Sequence, residues 1–202
     1  RSGRCGQHSP CQAGSGAAGG HVSIRSGDGA VLAGGSIDIE AGKSTATAGG
    51  SIRVTAGAVT DGEGIGGTVT VAGGDSLTGT AAGGDISLVG GASHSGIGGD
   101  LRLSSGESTD GSSGDVSVKS AASRDVSGKL ELSTGASSDS NSGDISLQTG
   151  ASPSDRSGSV NIAAGVSGSQ TAAAGSVNIE GGSGPLGGSV SLSAGVGSVD
   201  GG

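Results

Sequence analysis

One short pattern recurs twelve times along the chain: a glycine, a polar residue, then two aliphatic residues with one residue between them. The first aliphatic members are Val22, Ile37, Ile52, Val69, Ile86, Leu101, Val116, Leu130, Ile145, Val160, Val177 and Val190. Their partners, two residues on, are Ile24, Ile39, Val54, Val71, Leu88, Leu103, Val118, Leu132, Leu147, Ile162, Ile179 and Leu192. Successive first members are 15, 15, 17, 17, 15, 15, 14, 15, 15, 17 and 13 residues apart, so one small unit is copied in tandem and the chain reads as a repeat architecture.

Glycine brackets each pair. It stands two residues before the first aliphatic in all twelve repeats, at Gly20, Gly35, Gly50, Gly67, Gly84, Gly99, Gly114, Gly128, Gly143, Gly158, Gly175 and Gly188. It stands again five residues after the first aliphatic in eleven, from Gly27, Gly42 and Gly57 to Gly165, Gly182 and Gly195, the exception being Ala121. The residue before this second glycine is always small, as at Ser26, Ala41, Gly73, Thr149 and Ala194. The bracketing glycines read as turn residues that supply backbone angles other residues reach only with strain.

Alternation with period two places Ile37 and Ile39 on one face of a strand and Asp38 on the other. A five-residue strand with two aliphatic side chains cannot repay the entropy of ordering its own repeat, so neighbouring repeats must stack. The fold expected on these grounds is all-β: a parallel β-solenoid of about twelve short coils with a 15-residue repeat over 20–202, its core made of the 24 aliphatic residues named above. The alternative is two repeats per coil, forming two facing parallel sheets. Bundled polyproline II helices would call for glycine at every third residue, which is not the spacing here. With 48 glycines and no Phe, Tyr, Trp or Met, any core must be thin, and the same composition also fits a disordered chain.

Residues 1–19 lie outside the repeat and hold both cysteines, Cys5 and Cys11. An intrachain disulfide closing a small loop, in an oxidising compartment, is the favoured reading, with a bridge between subunits as the next. A metal site of Cys5, His8 and Cys11 would supply three ligands where structural zinc takes four. The sequence starts at Arg1 without a methionine, which reads as a processed chain or part of a longer one. Neither a signal peptide nor an apolar run of membrane-spanning length is read in the residues given.

A formal charge of −8 and the absence of aromatic residues argue against a nucleic-acid partner, removing both phosphate attraction and base stacking. No nucleophile elbow, phosphate loop or zinc signature is present, so no catalytic residue, cofactor or metal site is assigned and the chain is expected not to be an enzyme. His21 and His94 read as solvated turn residues. Aspartates recur before the first aliphatic at Asp85, Asp100, Asp115 and Asp144, interrupted by Lys129, and in the connecting stretches at Asp61, Asp110, Asp125, Asp139 and Asp155. A calcium ladder is conceivable from such rows, but the nonapeptide of calcium-binding repeats is not the unit here. Ice binding would want a regular threonine plane, whereas the residue between the aliphatics includes Asp38, Arg53, Arg102 and Glu131.

Solenoid ends without caps favour head-to-tail growth, and the residues after the last repeat contain no obvious cap. The units GDISL, GSVNI and GSVSL, each leading into a small residue and a glycine, resemble Gly/Ser-rich tandem repeats of extracellular fibres and cell surfaces of algal or protist type. That resemblance implies a secreted or cell-surface location and a structural subunit of a filament that binds itself as a homopolymer. It also makes the Ser/Thr-rich stretches 107–113 and 136–142 candidate O-glycan carriers, while no N-glycosylation sequon is present. The alternative function is a secreted adhesin or binding module using one face for calcium, glycan or ice.

Overall fold

A computed structural model describes residues 19–197. Among them there is neither a helix nor a strand, so the expected all-β solenoid is not formed in either of its two versions. Eight backbone–backbone hydrogen bonds occur among the described residues, and each joins one glycine to another. A parallel ladder would instead tie successive repeats along their whole length. Without coils there are no coil ends, and head-to-tail stacking of solenoids falls with the fold that suggested it.

The physical reason is visible at the aliphatic pairs expected to form the core. No described residue is buried, and the first members of the pairs remain 48% to 59% exposed while the second members are 61% to 84% exposed. Repeats that do not cover one another's apolar groups gain no hydrophobic return for ordering a glycine-rich backbone, the most expensive kind to order. The segments nevertheless keep the period-two geometry of an extended chain. Side chains two apart meet on one side: Asp100 with Arg102 at 2.5 Å, Lys129 with Glu131, and Asn178 with Glu180 at 3.0 Å.

What the chain does fix is its loops. The backbone bends once between each pair of successive repeats, at 30–32, 45–47, 61–63, 78–80, 94–96, 109–111, 124–125, 138–140, 153–155, 170–172 and 184–186. Eight of these loops are closed at the base by a neck bond, in which the N–H of the glycine opening one repeat donates to the C=O of the glycine closing the previous one. Gly35 to Gly27 and Gly50 to Gly42 are 2.9 Å, Gly67 to Gly57 and Gly84 to Gly74 are 2.8 Å, and Gly99 to Gly91 is 2.8 Å. The others are Gly114 to Gly106 at 3.0 Å, Gly175 to Gly165 at 3.1 Å and Gly188 to Gly182 at 2.8 Å.

The chain divides into two units, Arg1–Leu103 and Ser104–Gly202, each holding six aliphatic pairs. The cysteine pair Cys5 and Cys11, with His8, lies outside the described residues. No described helix is long and apolar enough to cross a membrane.

Candidate functional site

Among the described residues the repeat is the recurring construction, so its parts are the candidate site. At seven of the eight closed necks, Gly114 being the exception, the glycine that opens a repeat stands where the preceding closing segment runs close past it. A Cβ on Gly67 would lie 3.1 Å from the Gly57 nitrogen and 3.2 Å from the Ala56 Cβ; on Gly188 it would lie 2.9 Å from the Gly182 nitrogen. The small residue before the closing glycine is explained by the same approach. Side chains on Gly73 and Gly90 would run into the carbonyl oxygens of Gly84 and Gly99, and one on Gly181 would stand 2.5 Å from the Gly188 oxygen. Ala41, Ala56, Gly73 and Gly90, all at this place, are the least exposed of the described residues.

Every closed neck has glycine, alanine or serine at that place. Where it is Gly73, Gly90 or Gly181 the bond is 2.8 Å; with Ala41, Ala56 or Ala164 it is 2.8–3.1 Å; with Ser26 or Ser105 it is 2.9–3.0 Å. Thr134 and Thr149, the two β-branched residues, belong to repeats without a neck bond. Thr149 offers a partial substitute, its Oγ1 donating to the Gly158 carbonyl at 3.2 Å. The remaining open neck belongs to Ala121, the one closing position that is not glycine.

Loop length obeys a rule of parity. Closed loops hold five, seven or nine residues between the neck glycines, whereas the stretch between Ala121 and Gly128 holds six. Adding two residues puts one more on each arm and leaves the facing groups in phase, as period two requires; adding or removing one turns a neck group away. The varied repeat lengths of 13, 15 and 17 are therefore changes in the loop alone.

Conformation explains fewer glycines than the sequence suggests. Only Gly62 (φ 101°) and Gly79 (φ 79°) among the described residues have positive φ, and both sit at the tips of nine-residue loops. None of the bracketing glycines does, so their role as turn residues with special angles is corrected to one of close approach at the opening position. At the closing position, Gly27, Gly42, Gly57, Gly74, Gly91 and their equivalents would carry a Cβ into open space.

A serine that the repeat pattern above does not include shapes the loop tips. Seven residues after the first aliphatic stand Ser44, Ser76, Ser93, Ser108, Ser123, Ser137, Ser152 and Ser167, eight of the eleven loops. The hydroxyl oxygens of Ser93, Ser108 and Ser137 accept the N–H groups of Gly96, Gly111 and Ser140 at 2.8, 3.0 and 3.1 Å. Ser44, Ser123 and Ser167 accept in the same way from Thr47, Asp125 and Ser169. These are local turns in which a side chain replaces a backbone acceptor. The repeat phase alone would have revealed them.

The charged residues remain local. Asp155 accepts the Arg156 N–H at 2.7 Å, and Lys43 faces Glu40 at 3.6 Å across an exposed pair. His21 and His94 are exposed, His94 at a loop tip. Among the described residues no three of His, Cys, Asp and Glu gather where they would hold a metal ion. The acidic residues of successive repeats thus do not form a ligand set among the described residues. No family model matches the chain, and neither a curated protein nor a solved structure does.

Proposed function

We propose that this chain is a structural repeat protein, a self-associating component of an extracellular fibre or cell-surface layer. The observation that supports the reading is that all twelve repeats present the same exposed aliphatic pair, an arrangement suited to many equal contacts rather than to one site. The partner is the chain itself, and the contacts run sideways between repeats of different copies. The resemblance of GDISL, GSVNI and GSVSL to Gly/Ser-rich extracellular repeats supports the location. The exposed loops within 107–113 and 136–142 are the places we assign to O-linked glycans, which would keep the outer loop surface hydrated.

Sedimentation and electron microscopy of the purified full chain at rising concentration, in calcium and in chelator, test the reading. Association into elongated particles that survives chelation is the expected result. A monomer at every concentration, or particles that dissolve when calcium is removed, overturns it and favours a binding module.

A further inference from the structure

We infer that the aliphatic side of each repeat docks against the same side of a second copy of this chain, pair against pair. The inference rests on the structural reading above and adds to it the surface and the rule of register. The first support is charge. In every repeat the first aliphatic, its partner and the small residue occupy one parity, and each charged residue between the bracketing glycines falls on the other, as Asp38, Arg53, Asp100, Arg102, Lys129 and Glu131 show. Arg102 with Asp100 and Lys129 with Glu131 then neutralise each other within one repeat. Two copies can bring their aliphatic sides together without removing a charge from water.

The second support is area. Full burial of an aliphatic side chain covers about 60–120 Å². At exposures of 48% to 84%, the twelve aliphatic residues of one unit leave about 400–1,000 Å² to cover, against about 800 Å² per partner in a stable interface.

The necks give the register. A closed neck removes the loop from the backbone path, so the route from one aliphatic pair to the next is the same whether the repeat has 13, 15 or 17 residues. Along Arg1–Leu103, where all five necks are closed, a second copy displaced by one whole repeat therefore meets the same pairs again. Staggered copies leave pairs uncovered at each end, which recruit further copies, and growth does not close on itself.

The test compares adjacent residues of opposite parity in the full chain. The double variant Ile86→Asp with Leu88→Asp places charge on the aliphatic side, and Ser87→Asp places it on the other. Neither change empties a core, since no described residue is buried. Sedimentation velocity should show the association midpoint of the double variant moved to about tenfold higher concentration or more, with Ser87→Asp within about twofold of wild type. If wild type associates but the two variants shift alike, or neither shifts, the inference falls and the structural reading stands. If wild type stays monomeric throughout, both fall.

Discussion

The two units carry six repeats each and differ in how their loops close. Within Arg1–Leu103 all five loops have a neck bond; within Ser104–Gly202 three of six do. The four half-buried residues, Ala41, Ala56, Gly73 and Gly90, all belong to the first unit. Three residues account for the difference: Thr134 and Thr149, whose branched side chains stand where the backbones must meet, and Ala121, which replaces a neck glycine and begins the single loop of even length. Closure in this chain is decided at the neck, by the volume of the small residue and by the glycine and odd loop length that follow it, rather than by hydrophobicity.

The largest expected effect comes from importing the second unit's feature into the first. Gly90→Thr drives a branched side chain into the Gly99 carbonyl oxygen, and the Gly99 N–H, bonded to Gly91 at 2.8 Å in wild type, should exchange as fast as that of Gly143, which has no neck bond. Protection of Gly99 that survives the substitution would show that side-chain volume is not what separates the units. The reverse change is smaller. Thr149→Ala gives this repeat the alanine found at closed necks and should let Gly158 bond to Gly150, a gain of about 0.5–1.5 kcal/mol and up to about tenfold slower exchange at Gly158. No change at Gly158 would point to the loop residues instead.

The smallest effect separates tip from neck. Ser93→Ala removes the acceptor for Gly96 N–H, held at 2.8 Å, at a cost of about 0.5–1 kcal/mol in an exposed turn. Amide exchange should quicken at Gly96 and stay unchanged at Gly99; a matching change at Gly99 would mean that tip and neck form one cooperative unit.

The loops were legible in the sequence to the extent that their landmarks repeat. The opening glycine, the closing glycine and the small residue before it are all explicit in the pattern, and Ala121 is explicit as the exception. Their purpose was misread because glycine has two uses that look alike in sequence, a left-handed angle and a close approach, and only Gly62 and Gly79 have the first. The serine seven residues after the first aliphatic was present in eight loops but sits outside the aliphatic frame, where loop length varies downstream of it. The solenoid was the inference that failed. Alternation in Ile37 and Ile39 specifies which side of an extended segment is apolar, and carries no information about what covers that side.

By itself the sequence determined the repeat, its phase, the parity that separates aliphatic from charged residues, and the absence of aromatic groups for a substantial core. These are properties of residues a few places apart, set by backbone geometry alone. The tertiary structure decided what the glycines do and whether the aliphatic pairs find each other. Within one chain the pairs stay about half or more exposed: the necks join residues six to ten apart at the cost of one small loop each, whereas stacking repeats would order the whole glycine-rich backbone for two aliphatic side chains per repeat.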